Sequence, residues 1–461
     1  MNLRTPELLA PAGTLEKMRL AYQFGADAVY AGQPRYSLRA RNNEFQLAQL
    51  EIGIQEAHDL GKKFFVASNL MPHNVKIHTY LADMAPIIAM RPDALIMADP
   101  GLIMMVRERW PEMPVHLSVQ ANTVNFASVK FWQSLGLTRV ILSRELSLDE
   151  IAEIRQRCPD MELEVFVHGA LCIAYSGRCL LSGYFNHRDP NQGTCTNSCR
   201  WDYKVHQADT DQSGDVHKLD IDLQSMMNSG NAMTDCGQQV RHPLADQVYL
   251  ISEQSRPDEL MPILEDEHGT YIMNSKDLRA IEHIGRLIEI GIDSLKIEGR
   301  TKSGYYVART AQSYRQAIDD AVAQRPFNTD LLADLEGLAN RGYTAGFYQR
   351  HSTHEYQNYL RGHSESKRSL YVGDVLAYVS DQNEASNHAW ADIEVKNRFT
   401  VGDQLEIIHP SGNQIIAVPA MRNHLNISVT EAPGSGHKVR IQLPPGLEGA
   451  LLTRLLLPEA S

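Results

Sequence analysis

No run of about 18 consecutive apolar residues occurs anywhere in the chain, which excludes a helical membrane span. The opening residues, Met1-Asn2-Leu3-Arg4-Thr5-Pro6, lack the basic-then-apolar build of a secretory signal, so a cytoplasmic location is expected. Positive charge is in deficit: 44 Lys and Arg stand against 56 Asp and Glu, a net of −12 over 461 residues. That balance argues against a general phosphate-binding surface and confines any nucleic-acid contact to a local basic patch. Several catalytic signatures are missing as well. There is no P-loop, no Gly-rich dinucleotide fingerprint, no Gly-x-Ser-x-Gly elbow and no His-Glu-x-x-His. His351-Ser352-Thr353-His354-Glu355 has neither zincin order. With 43% hydrophobic and 22% charged residues the chain is an ordinary globular one.

Cysteine is scarce but not scattered. Of six, four fall within the 28 residues from Cys172 to Cys199, where chance would place roughly 0.4. In a reducing compartment such a cluster points to metal or redox chemistry rather than to disulfides.

Short apolar runs alternate with helical-period segments from Glu7 to about Arg300. The runs are Glu7–Ala10, Ala28–Ala31, Phe64–Ser68, Ala94–Ala98, Val115–Val119, Val140–Ser143, Glu164–Val167 and Ser294–Glu298, with Thr270–Met273 a ninth candidate. Gly or Pro followed by a small polar residue precedes several of them, as in Gly25-Ala26-Asp27 and Gly291-Ile292-Asp293. Eight such strands predict an α/β fold, a (β/α)8 TIM-like barrel. The barrel is expected over 1–345, with a Cys-bearing insertion over 169–268 at its C-terminal mouth and an irregular stretch over Gln207–Gln247. A linker over 346–369 and a small C-terminal all-β barrel over 370–461 complete the expected organisation.

Four thiolates suit structural zinc or an iron–sulfur cluster. Only Cys195 and Cys199 have the close spacing of a zinc knuckle, so the spacing of Cys172, Cys179, Cys195 and Cys199 leans towards a cluster. A radical-SAM triplet fails because Asp202 stands where its third Cys belongs. Cys236 is a reserve ligand. Strand-end polar residues complete the expected mouth: Asn69, Asp99, Gln120, Asn122, Arg144, His168, Glu298 and Arg300. His168, four residues before the first clustered Cys, is the leading general acid/base candidate, with Glu298 beside it. Arg35, Arg39 and Arg41 would suit carboxylate or phosphate groups. A second basic segment (Lys296, Arg300, Lys302, Arg309 and Arg315, with Tyr305, Tyr306 and Tyr314 interleaved) fits either a phosphate-holding, base-stacking surface or a helix whose tyrosines pack on the barrel.

The segment Val167-His168-Gly169-Ala170-Leu171-Cys172-Ile173-Ala174-Tyr175-Ser176-Gly177-Arg178-Cys179 resembles the signature of the collagenase-like peptidases, peptidase family U-32. Gly193-Thr194-Cys195-Thr196-Asn197-Ser198-Cys199, Met273-Asn274-Ser275-Lys276-Asp277-Leu278 and Lys296-Ile297-Glu298-Gly299-Arg300 continue the resemblance, which runs through nearly the whole chain. Within the family it is similar to members that form 5-hydroxyuridine at the tRNA wobble position, with prephenate as a required metabolite. The resemblance implies a 4Fe-4S cluster on Cys172, Cys179, Cys195 and a fourth ligand, oxygen-independent hydroxylation, and tRNA bound by its anticodon loop. Some relatives place a Cys where this chain has Arg279, which leaves Cys199 for the fourth position, with Cys236 the alternative. Arg35, Arg39, Gln120, Asn122 and Arg300 are then expected to hold substrate, and His168 and Glu298 to act in the chemistry. Two other readings stand beside this one: a peptidase, and a non-enzymatic iron–sulfur scaffold.

Overall fold

The computed structural model describes residues 4–38, 45–171, 277–338, 340, 342–349, 369–379 and 389–456, and the backbone of several strands between 203 and 270. Arg39, Cys172, Cys179, Cys195, Cys199, Cys236 and most of the ninth candidate strand lie outside the described residues.

Eight parallel strands close into a barrel: β1 (Glu7–Pro11), β2 (Ala28–Gly32), β3 (Lys63–Ser68), β4 (Ala94–Met97), β5 (Val115–Leu117), β6 (Arg139–Ile141), β7 (Glu162–Ala170) and β8 (Ser294–Ile297). Closure is direct, since β8 pairs in parallel with both β1 and β7. Helices α1 (Leu15–Gln23), α2 (Leu47–Asp59), α3 (Tyr80–Ala89), α4 (Pro100–Arg109), α5 (Phe126–Ser134), α6 (Leu148–Arg157), α7 (Ile284–Ile290) and α8 (Gly304–Val322) ring it. Their starts are written locally. Thr14, Asp99, Asn125, Ser147 and Ser303 each accept a backbone N–H of the first turn, and Ser147 with Glu150 forms a capping box. Strand residues such as Leu9, Val29, Val66, Leu95 and Val140 are fully buried, each contributing about 1.5–3 kcal/mol. No described helix is long and apolar enough to cross a membrane.

The strand found beside the barrel is Asp277–Arg279, antiparallel to the end of β7, with Tyr343–Thr344 parallel to it. Within the insertion, strands Tyr203–Thr210, Tyr249–Glu253 and Arg256–Ile263 pair antiparallel, and Val216–Lys218 pairs with the first. The expected irregular stretch therefore begins inside a strand, because Gln207–Thr210 continues a ladder rather than a loop.

The C-terminal unit is an antiparallel sheet in the order β12-β11-β16-β9-β10-β15-β13-β14. Its strands are β9 (Ser369–Val379), β10 (Ala389–Val395), β11 (Gln404–Ile408), β12 (Gln414–Ala417), β13 (Met421–Asn423), β14 (Ser428–Val429), β15 (Lys438–Leu443) and β16 (Leu451–Leu455). It curls as a half-barrel over its own core of Val375, Ile393, Leu405, Ile441 and Leu452. Docking to the main barrel is extensive. Arg309 on α8 meets both Glu406 oxygens at 2.8 Å and Asp334 at 3.1 Å, and Tyr305 stacks on Tyr371 with ring centres 5.3 Å apart. Ile408 and Leu451 belong to the barrel's own hydrophobic core.

This resolves the second basic segment. Tyr305, Tyr306 and Tyr314 are buried against the barrel, Arg309 is the strut to the second unit, and Arg315 pairs with Asp27 and Asp319. The packed-helix reading holds for these residues.

Candidate active site at the barrel mouth

Side chains on non-adjacent strands can meet only through the barrel interior, so their contacts trace its lining. At the lower end Arg139 on β6 reaches Glu7 on β1 (2.6 Å), and also Glu162 (2.9 Å) and Glu164 (3.1 Å) on β7. Lys296 on β8 donates to the other Glu164 oxygen at 2.9 Å. Both members of that pair are buried, and so is Arg139. Burial pushes the Glu7 carboxyl up, but Arg139 and Lys63 outweigh it and hold it below the usual range. Burial likewise drives the Lys296 ammonium below its usual range in spite of Glu164. His116 packs edge-on to Phe65, and burial with Arg139 and Lys296 nearby keeps it neutral.

Above this layer aromatic faces carry cations towards the mouth. Lys296 lies 4.4 Å from the centre of the Tyr30 ring, whose far neighbour is Arg300 at 5.7 Å. Phe166 has Lys296 at 5.4 Å and Arg144 at 3.8 Å. The two guanidiniums thus stand at the strand ends over a ring each.

Arg144 is doubly engaged. Nη2 donates to Glu298 Oε2 at 2.9 Å, and Nη1 to the Ala170 carbonyl at 2.7 Å. Arg300 Nη1 donates to Ser37 Oγ at 2.8 Å inside the mouth. Gly32 makes room for it: a Cβ there would lie 2.4 Å from Arg300 Nη1 and 2.7 Å from Ser37 Oγ. The far side of the mouth is built from amides and hydroxyls. Asn69 donates to Ser118 Oγ (3.4 Å) and accepts from the Leu38 backbone (3.3 Å). Asn122, in the left-handed region at φ 53°, accepts from Ser143 Oγ at 3.0 Å. Gln120 sits in the one-turn helix between them. Such groups offer both donors and acceptors, as a nucleobase edge requires.

His168 is placed elsewhere than the sequence suggested. The β7–β8 pairing shifts after Lys296–Phe166, so that Ile297 pairs with His168 and Val167 is the extra residue of a bulge. Phe166 contacts the interior cations, whereas His168 is enclosed by Tyr306 and Tyr314 of α8 and by Tyr343, ring centres 5.5–5.7 Å away. Its Nδ1 meets the Tyr314 hydroxyl at 3.3 Å, and burial lowers its pKa to about 3. At neutral pH it is an uncharged packed ring, an environment suited to fixing the end of β7 rather than to moving protons. Gly169, at φ +106°, must be glycine, since a Cβ would lie 2.6 Å from the Glu298 carbonyl.

Of the other expected residues, Asp99 caps α4 through the Leu102 N–H. Arg35 is tied to Asp83 at 2.6 Å on the rim and is half exposed. Sequence reasoning missed Ser37, Ser143 and the Arg139–Glu164–Lys296 network. The trace of the last was visible as opposite charges, Glu164 and Lys296, at alternating positions in otherwise apolar strands.

Cys172 follows the pinned Ala170 carbonyl by two residues, so the chain leaves β7 for the cysteine segment directly at the mouth. Among the described residues no group of three or more His, Cys, Asp or Glu side chains is placed to hold a metal ion.

Comparison with known proteins agrees with this architecture. Residues 13–358 match peptidase family U32, and residues 367–454 match the peptidase family U32 C-terminal domain. The chain is 56% identical over 454 residues to the tRNA hydroxylation protein P of Haemophilus influenzae, covering 98% of this chain and 96% of that one. It is 58% identical over 445 residues to the tRNA hydroxylation protein P of Escherichia coli K12, covering 96% and 95%. A more distant relative, the 23S rRNA 5-hydroxycytidine C2501 synthase of Escherichia coli K12, is 27% identical over 95% of this chain and 58% of its own length. The chain belongs to peptidase family U32.

Proposed function

We propose that this protein hydroxylates tRNA, converting C5–H of the wobble uridine to C5–OH with prephenate as co-substrate and a 4Fe-4S cluster as cofactor. The observation that carries the reading is identity of 56–58% over nearly the full length of two proteins named for tRNA hydroxylation. The rRNA hydroxycytidine synthase adds a relative with the same kind of chemistry on a pyrimidine. An anticodon loop offers unstacked bases, which C5 chemistry needs.

The donor set fits the cofactor: four thiols crowded into 28 residues are the soft ligands an iron–sulfur cluster takes. Cys172, Cys179 and Cys195 would hold it, with Cys199 or Cys236 as the fourth. Such a cluster supplies electron transfer or a Lewis-acid site for an oxygen-bearing molecule. The protein's own residues do the rest. Arg144 and Arg300, together with the sequence candidate Arg39, suit the two carboxylates of prephenate. Gln120 and Asn122 would hydrogen-bond the uracil edge, and Glu298, held by Arg144, would take a proton at the mouth. A tRNA substrate implies a cytoplasmic setting.

The test is nucleoside analysis of tRNA from anaerobically grown cells lacking the gene. Loss of 5-hydroxyuridine-type nucleosides, restored by the intact gene and not by the Cys179→Ser form, is the expected result. Unchanged nucleosides would refute the hydroxylase reading, and activity retained in Cys179→Ser would remove the cluster from it.

A further inference from the structure

The C-terminal half-barrel has one face carrying a cation, Arg422, that its own packing does not pair. Val439, Ile441 and Leu443 of β15 point into its core, so Lys438 and Arg440 lie on the outer face. Arg422 on β13 is the direct cross-strand neighbour of Arg440, an arrangement in which like charges repel. Arg440 is balanced, with Nε donating to Asp392 (2.7 Å) and Nη1 to Asn426 (2.7 Å). Arg422 has no carboxylate and no hydrogen-bond partner among the described residues. Its guanidinium carbon sits 4.1 Å from the centre of the Trp390 ring. A buried indole face thus holds a half-exposed cation in place and leaves its in-plane donors for another molecule. Exposed Lys438 lies on the same face, opposite Glu394 of β10.

The position is informative. Docking uses β11, β16 and β9 through Glu406, Ile408, Leu451 and Tyr371, whereas this face lies on β10, β15 and β13, further along the sheet. The strut residues Tyr305 and Arg309 come in the first two turns of α8, immediately after β8, so the half-barrel flanks the mouth end of the main barrel.

We infer that the Arg422–Trp390 face grips the phosphate backbone of the tRNA outside the anticodon loop. This inference rests on the tRNA reading above and deepens it. The overall charge of −12 makes one fixed guanidinium a docking point rather than a general clamp.

The test uses the full chain, purified anaerobically, with a fluorescent unmodified tRNA transcript and anisotropy at several KCl concentrations. Arg422→Gln and Arg422→Glu are expected to weaken binding about five- to tenfold and to make the salt dependence shallower by about one unit. Arg422→Lys should keep the salt dependence, and Arg325→Gln, at the far end of α8, should leave both quantities unchanged. Unaltered melting temperatures would show that the variants fold. Binding within twofold and an unchanged salt slope in both Arg422→Gln and Arg422→Glu overturn the inference. Absence of tRNA binding by the unsubstituted chain would instead overturn the tRNA reading beneath it.

Discussion

Arg144 holds Glu298 across the barrel mouth, Nη2 to Oε2 at 2.9 Å, although 154 residues separate them in the chain. Its other arm fixes the Ala170 carbonyl, and its plane lies over Phe166. One guanidinium therefore aligns the mouth carboxylate with the strand end from which the cysteine segment departs. Arg144→Ala removes all three contacts and is expected to lower tRNA hydroxylation about a hundredfold through misplacement. Arg144→Lys, lacking the fork, should recover only part of the activity. Mass spectrometry of nucleosides, with iron content measured beside it, checks both. Full activity in Arg144→Ala would show that the tie has no functional role.

Gly32→Ala introduces a Cβ 2.4 Å from Arg300 Nη1, the far end of a flexible side chain. The same Cβ lies 2.7 Å from Ser37 Oγ, so both the guanidinium and the Ser37 hydroxyl must shift and the Arg300–Ser37 contact is displaced. Hydroxylation should show a KM for the co-substrate raised at least tenfold, with kcat less affected. An unaltered KM would mean that Arg300 does not touch the co-substrate.

Lys296→Met leaves Glu164 buried with Arg139 as its one remaining partner among the described residues. Breaking a buried pair in this way costs about 3–5 kcal/mol, measurable as a shift in urea midpoint. The double variant Glu164→Leu with Lys296→Met should regain much of that loss, because no uncompensated charge then remains on either side of the former pair.

The buried imidazole of His168 gives a pH dependence with a definite sign. Its pKa is about 3 in the fold and near the ordinary 6.5 when unfolded, so between these values only the unfolded chain takes up the proton. Stability thus falls as pH drops through this window, by ~1.4 kcal/mol per unit, or about 2 kcal/mol between pH 6.5 and 5. His116, also buried and neutral, adds a slope of the same sign. His168→Phe should flatten the acid side of a urea-midpoint profile by its share. An equal slope in the variant would show that His168 is protonated in the fold.

Arg309→Met removes the strut to Glu406 and leaves that carboxylate largely buried. The expected cost is about 3 kcal/mol, concentrated at the contact between the two units. Calorimetry should show one unfolding transition splitting towards two. A single, unshifted transition would mean that Tyr305–Tyr371 stacking and the shared core suffice.

Periodicity alone determined the barrel. Buried parallel strands must be apolar on both faces, and Gly or Pro must stop each helix, so eight short runs and their punctuation were legible without any contact being known. The cysteine crowding and the strand-end polar residues were equally plain, because composition and position along a strand are properties of the chain. The tertiary structure decided what distance does. The tyrosines and arginines of α8 fitted either an RNA surface or a packed helix, and burial against the barrel and the docked second unit decided for the latter. A single bulged residue, Val167, turned His168 away from the mouth where strict alternation would have aimed it. Arg144 with Glu298, Arg300 with Ser37, and Arg139 with Glu7 join strands that closure alone brings together. Pairing energy depends on separation in space, and only a closed barrel converts 132 to 263 residues of sequence into hydrogen-bond distance.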